Sequence, residues 1–321
     1  MVESREVRLA AIPEGVPGQE HFEVVSAPVA DPGPGEVLVR NRYFQVSARL
    51  RTLLAGDIEG TPLPPVRVGE VPPSITVGEV VAVGAGGGAR VGEVVSHWAG
   101  WREYAVLPVA ACTPLGDSLP DPVAHLGSGW TSYAALTVHA RLRAGETVLV
   151  TAGGGGVGSL VGPLARVLGA GRVVATARTR EKADRVVAEL GYDAAYVVGT
   201  DAIEDVDVVV DNVGGADLRA ALAAARPGAR VALVGALSGQ AGAAPVELDT
   251  FGLILRGISL HGVNTRPDPD ERDEWLARFG GWLRSGALTF PHVRVSGIDS
   301  APRALQEVIE GRHVGTVAVY L

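Results

Sequence analysis

One cysteine, Cys112, stands in a chain of 321 residues, so no disulfide can close within it and no cysteine-rich zinc lobe can be built. Its setting, "VAACTPLG", offers no neighbouring base, which favours a small buried apolar residue over a nucleophile. Lysine is as scarce: Lys182 is the only one, and arginine supplies the rest of that charge. Positive charge is also outnumbered. The formal net charge is -8, which argues against a general binder of phosphate backbones and so against a nucleic-acid partner. No run approaches the roughly 18 uninterrupted apolar residues of a membrane span. The opening "MVESREVRLAAIPEG" lacks the apolar core of a secretory signal. The expectation is a cytoplasmic protein without a membrane or nucleic-acid partner.

Glycine, by contrast, is abundant, and the runs it punctuates are of two kinds. Residues 36 to 115 carry short valine-rich stretches, "EVLVR", "ITVGEVVAVG" and "REYAVLP", separated by Gly and Pro clusters, which predicts a small barrel-like β domain. From about residue 120 the pattern changes. "TVLVTA", "RVVATA", "VDVVVDN" and "RVALVG" are nearly continuous apolar runs, alternating with helix-like segments such as "SLVGPLARVLG", "REKADRVVAELG" and "ADLRAALAAARPG". Strands buried on both faces and alternating with helices predict a doubly wound parallel sheet.

The densest glycine run, "TAGGGGVGS", sits between an apolar strand and a helix. Gly153, Gly155 and Gly158 fit G-x-G-x-x-G in that context. The first glycine permits a tight turn, the second a close approach to a pyrophosphate, and the third close packing of helix on strand. The amides of the helix start then face the anion. Pro163 falls past the first turn of this helix, predicting a kink or a shifted start. About 20 residues on, NAD sites place an acidic residue on the ribose 2'-hydroxyl. Here the second strand ends "VVATARTREK", with Ala177 or Arg178 at that position and Arg180 and Lys182 behind it. Cations there suit a 2'-phosphate, so the expected cofactor is NADPH; the competing reading is a helix start with solvated basic residues.

Five further stretches carry a resemblance. "EHFEVVSAPVADPGPGEVLVRNRYFQVSARLR" has an N-x-Y opening, "LGSGWTSYAAL" is similar to L-G-x-x-G-x-T-A-Y, "TAGGGGVGSLVG" parallels A-A-x-G-A-V-G-S, and "DNVGG" and "VGALSG" follow in order. Over essentially its whole length the chain resembles the medium-chain dehydrogenase/reductase superfamily. It is most similar to the zinc-independent alkenal/one (prostaglandin) reductases and double-bond reductases, with quinone oxidoreductase and acrylyl-CoA reductase features in "FGLILRGISLHGVN". The resemblance implies an α/β fold: a Rossmann doubly wound parallel sheet in residues 120–287, inserted in a GroES-like β-barrel domain of residues 1–119 and 288–321. It implies that Gly155, Gly156, Val157 and Gly158 meet the pyrophosphate and that Lys182 reaches the 2'-phosphate. Asn212, Gly235, Ala236, Leu237, Ser238, Val263 and Asn264 would line the nicotinamide side, with Thr131 and Tyr133 beside it. His313 occupies a C-terminal cofactor position. No metal is implied.

Hydride addition to a conjugated C=C–C=O system leaves an enolate, which needs positioning and hydrogen-bond donors rather than a metal. Tyr43, on the N-x-Y tyrosine, is the first candidate donor, with Arg51 and Tyr104 as further candidates. The chain departs from the pattern at Ser47-Ala48, where D-P is usual. It departs again at Gln240, Val198 and Thr316, which stand for two tyrosines and a lysine. The expected function is therefore NADPH-dependent reduction of an activated C=C bond in an enone or enoyl substrate. Quinone reduction, or cofactor binding without turnover, are the alternatives. The late strand "ISLHGV" predicts an exposed sheet edge and a homodimer.

Overall fold

Valine-rich runs broken by Gly and Pro become strands, and where such runs alternate with apolar-striped segments the strands are parallel. A computed structural model describes residues 2–55, 64–238, 246–263 and 266–321; the chain forms two units. The first comprises Met1–Gly127, His292–Glu310 and Thr316–Leu321, and the second Ser128–Pro291 with Gly311–Gly315. In the first, β1 (Val2–Leu9) and β2 (Phe22–Val29) pair as an antiparallel ribbon. β3 (Glu36–Val46) leads into the short α1 (Leu50–Leu54). After it come β4 (Thr76–Val83), β5 (Val94–His97), β6 (Tyr104–Pro108) and β7 (Thr113–Pro114).

The second unit holds α2 (Gly129–Ala134), β8 (Thr147–Val150), α3 (Gly158–Val167), β9 (Arg172–Ala177), α4 (Arg180–Leu190), β10 (Ala194–Val197) and β11 (Val206–Asp211). It continues with α5 (Gly215–Ala224), β12 (Ala225–Leu233), α6 (Thr250–Arg256), β13 (Ser259–Gly262) and α7 (Pro269–Ser285). The chain then returns to the first unit with β14 (His292–Ser296), α8 (Ala301–Glu310) and β15 (Thr316–Tyr320).

The first unit's sheet runs β14-β15-β3-β4-β5-β7, with β6 also paired to β3. Residues alternate across β3: Phe44 faces a core where its ring lies 5.7 Å from that of Trp101, which in turn stacks 5.5 Å from Phe22. Trp101 has φ 57°, a left-handed backbone that a bulky residue adopts only under tertiary constraint. The constraint is this stack, together with the Trp101 carbonyl accepting from Val7 N–H at 2.9 Å. Tyr43, one residue earlier, lies on the other face of β3, directly opposite Tyr320 of β15.

The second unit's sheet runs β10-β9-β8-β11-β12-β13, and every pairing in it is parallel. Counted along the chain, that is the order 3-2-1-4-5-6, whose reversal point lies between β8 and β11. Val148, Leu149, Val150 and Val208–Val210 are fully buried, as strands covered on both faces must be. One helix keeps the start expected of it and another ends early. Pro163 lies inside α3, which runs unshifted from Gly158 to Val167. The segment read as a helix through "RPG" stops at Ala224, and Arg226–Gly228 belong to β12. Pro227 disfavours the helical conformation for Arg226 and has no N–H to continue the ladder of bonds.

Candidate active site

At the reversal point the turn after β8 is shaped by what glycine allows. Gly158, the first residue of α3, is packed so that a Cβ there would stand 2.6 Å from the Ala152 carbonyl oxygen and 2.7 Å from Gly153 Cα. Gly153 lies in the expected tight turn, closed by the Gly155 amide donating to the Ala152 carbonyl at 2.9 Å, but its lack of a side chain serves another purpose. The left-handed residue is its neighbour Ala152, at φ 51°, while a Cβ on Gly153 would collide with Ala175 of β9. Close approach between turn and second strand is therefore what the first glycine provides. Tyr192 completes the packing: its buried hydroxyl donates to the Gly158 carbonyl at 2.6 Å, and its ring lies against Gly162. Among the described residues the amides of Gly156, Val157 and Gly158 carry no hydrogen bond, a set of donors at a helix start suited to an anion.

The basic residues after β9 take up three positions. Thr179 caps α4, its hydroxyl accepting from the Lys182 amide at 3.2 Å, and Gly191 closes the helix in the left-handed conformation. Lys182 leans over the glycine turn, near Gly154, and its amine donates to the carbonyl of His313. Burial pulls the Lys182 amine down to about 8, with Arg185 and Arg178 adding to the fall. Arg178 lies beside Gly311. Arg180 turns elsewhere, pairing with Asp201 at 2.5 Å and donating to the Ala195 carbonyl at 3.4 Å. The His313 segment is joined to the turn by a bond from the Gly315 amide to the Gly154 carbonyl at 3.1 Å.

Across the reversal point, β11 ends in Asp211 and Asn212. The Asn212 side chain donates to the Thr151 carbonyl at 2.8 Å, and its buried Oδ1 has no partner among the described residues. Gly214 and Gly215 have φ 73° and 54°, which lets the loop fold back beneath Ser238. Gly235 must lack a side chain, because a Cβ would stand 2.8 Å from the Asn212 carbonyl oxygen. Ser238 Oγ donates to the Val213 carbonyl at 2.7 Å, and Ala236 and Leu237 lie between these anchors. Val263 extends the edge pairing, its amide donating to the Leu233 carbonyl at 2.9 Å. Gln240 and Asn264 lie outside the described residues.

Thr131 is the third residue of α2, whose N-cap is Ser128. Tyr133 is buried in an aromatic cluster, its ring 5.2 Å from Trp275, 6.1 Å from Trp130 and 6.3 Å from Trp282. Sequence reasoning passed over Thr151, Asp211 and Tyr192. A signal for the first two was present, since polar residues at the carboxyl ends of buried parallel strands border the ligand crevice of this kind of sheet. Tyr192, outside any motif, gave none.

In the first unit Tyr43 is buried, its ring 5.0 Å from Tyr320, and the Arg294 guanidinium lies over the Tyr320 ring at 4.3 Å. Burial first, then the Asp121 charge, pushes the Tyr43 hydroxyl well above the usual phenol range. It stays protonated and can donate. Arg51 sits in α1 and Tyr104 begins β6. Among the described residues no group of three or more His, Cys, Asp and Glu side chains could hold a metal ion, and no helix is long and apolar enough to cross a membrane.

The donor set fits a dinucleotide: a turn that a Cβ would fill, amides facing outward at a helix start, a half-buried amine beside them and an orphaned buried acceptor across the crevice. Comparisons with known proteins agree. Residues 5–115 match a family model described as the N-terminal domain of oxidoreductase, and residues 156–279 one described as zinc-binding dehydrogenase. A putative NADP-dependent oxidoreductase, YfmJ, of Bacillus subtilis (strain 168) is 30% identical over 97% of this chain and 96% of its own length. The NADPH-dependent curcumin reductase of Escherichia coli (strain K12) is 28% identical over 97% and 95%. The crystal structure of CurA in complex with NADPH from Vibrio vulnificus superposes with a TM-score of 0.86 at 27% identity, covering 98% of each chain.

Proposed function

The chain belongs to the zinc-independent medium-chain dehydrogenase/reductases, and from that membership we propose that it reduces the activated C=C bond of an enone or enoyl substrate with NADPH. The observation that carries the cofactor choice is Lys182, the only lysine of the chain, held over the glycine turn with its amine anchored on His313. The curcumin reductase relative supports the choice of bond.

NADPH, when bound, supplies the hydride. The protein's own part is to hold the dinucleotide and to meet the charge that develops on the substrate. The amides of Gly156, Val157 and Gly158 face the pyrophosphate, and Lys182 with Arg178 meets the 2'-phosphate. Asn212 and the Gly235–Ser238 loop fix the nicotinamide half. Tyr43, kept protonated by burial, donates a hydrogen bond to the carbonyl oxygen as it becomes an enolate oxygen. Arg51 and Tyr104 are further donors in this reading. A homodimer forms along β13, where α6 leaves Phe251, Ile254 and Leu255 open to solvent. The single cysteine suits a reducing cytoplasm.

The test is NADPH oxidation, followed optically, over a panel of enones, enoyl thioesters and quinones. Oxidation with enones or enoyl thioesters is the expected result. Oxidation confined to quinones would move the protein to the quinone reductases, and tight NADPH binding with no acceptor turned over would leave a binding protein.

A further inference from the structure

We propose that Thr151 is a positioning residue for the cofactor: together with Asp211 it presents Asn212 Oδ1 as a preset acceptor for a hydrogen-bond donor on the nicotinamide half. Thr151 is fully buried at the end of β8, facing the end of β11. Its hydroxyl accepts from the Asn212 backbone amide at 2.8 Å and donates to Asp211 Oδ1 at 2.7 Å. Its carbonyl accepts from Asn212 Nδ2 at 2.8 Å. The other carboxylate oxygen, Asp211 Oδ2, accepts from the Gly214 amide at 2.9 Å.

This arrangement removes the freedom of the Asn212 amide group. Nδ2 is committed to the Thr151 carbonyl, so Oδ1 must point the opposite way. There it is buried and lacks a partner among the described residues. A buried carbonyl oxygen without a donor is costly, and a site retains one when a ligand completes it. Topology says which part of the ligand. Strands β8, β9 and β10 hold the adenosine half of a dinucleotide, and β11, across the reversal point, opens the nicotinamide half. The donors available there are the carboxamide N–H and the ribose hydroxyls.

Asp211 is the keystone of the network. Burial pushes its carboxyl upward, and the bonds from Thr151, Gly214 and Val213 oppose that shift. The carboxylate thereby ties the start of the Gly214–Gly215 turn to the end of β8. Losing the Thr151 hydroxyl would free the Asn212 backbone and let its side chain swing out of register. Thr151 lies at the base of this crevice and needs no contact with the ligand itself.

The inference rests on the dinucleotide reading above, and its test separates the two. Binding to Thr151→Val, Thr151→Ser and Asn212→Ala is measured by fluorescence titration with NADPH and with adenosine 2',5'-bisphosphate, which lacks both the nicotinamide and its ribose. Thr151→Val and Asn212→Ala are expected to bind NADPH about tenfold more weakly, with adenosine 2',5'-bisphosphate affinity unchanged and Thr151→Ser close to native. The 3-acetylpyridine analogue of the cofactor, which lacks the carboxamide N–H, identifies the donor. If the Thr151→Val loss disappears with it, the donor is the carboxamide; if the loss persists, it is a ribose hydroxyl. Equal weakening of both ligands, no weakening of NADPH, or failure of Thr151→Ser to restore binding would overturn the proposal. Absence of NADPH binding by the native protein would instead overturn the dinucleotide reading. Should Thr151→Val not fold, Thr151→Ala, which also lacks the hydroxyl, carries the same contrast with Thr151→Ser.

Discussion

Replacing Lys182 by methionine should weaken NADPH binding by about 10- to 30-fold and leave NADH binding unchanged. Methionine keeps the apolar stem that lies beside Gly154 and removes only the charged end. A hydrogen bond to a charged group contributes about 1.5–3 kcal/mol, equivalent to roughly 10- to 150-fold in affinity. Two features place the effect at the lower end: the amine is only half-buried, and Arg178 remains nearby to meet the phosphate. The pH dependence has a defined sign. In the free protein the amine titrates at about 8, lowered first by burial and then by Arg185 and Arg178. A phosphate dianion favours the protonated amine, so binding above that pH must be accompanied by proton uptake. NADPH affinity should therefore fall as pH rises beyond about 8, by at most about one decade per pH unit. NADH affinity should be flat over the same range, and the methionine variant should lose the NADPH dependence. Calorimetric titration of both cofactors at low ionic strength, from pH 7 to 9.5, reads each of these slopes. An equal loss for NADH, or an unchanged NADPH slope in the variant, would show that Lys182 does not meet the 2'-phosphate.

Tyr43→Phe should lower enone turnover by about 10- to 100-fold with NADPH affinity intact, as befits a donor to a developing oxyanion, and steady-state kinetics beside a binding titration would show it. Gly158→Ala should cost about 1–3 kcal/mol of stability and abolish cofactor binding, because the added methyl would stand 2.6 Å from the Ala152 carbonyl; thermal melts with and without NADPH report both. His97 is buried and its pKa falls to about 4, through burial first and the Arg102 charge second. Its neutral form is the folded one, so its contribution is full above about pH 6.5 and is lost as pH falls from there to 4. The loss reaches up to about 3 kcal/mol, and the acid limb of the melting curve should flatten in His97→Gln. Ile254→Asp, on the exposed face of α6, should convert a dimer to a monomer by light scattering; a monomeric native protein would refute the edge pairing.

Local sequence decided what depends on neighbours in the chain. Apolar runs with no polar alternation became the buried strands of the second unit, since a strand covered on both faces has no use for polar residues. Thr179 and Gly191 bounded α4 because capping is satisfied within a turn of the helix end. The tight packing of the glycine run between strand and helix was legible from its flanks, and the cations after β9 as candidates for a phosphate. Contacts between distant segments were not legible. Glycine was required at Gly153 because Ala175 crosses above it, and the left-handed residue was Ala152, which no turn rule would select. Arg180 and Lys182, two positions apart, diverged: α4 directs one toward Asp201 and the other over Gly154. Thr151, Asp211 and Asn212 carry polar groups whose partners are some 60 residues away, so the direction of Asn212 Oδ1 was set only when β8 and β11 paired. Chain-local geometry is encoded by a few adjacent side chains, whereas the aim of a buried polar atom depends on which strands lie side by side.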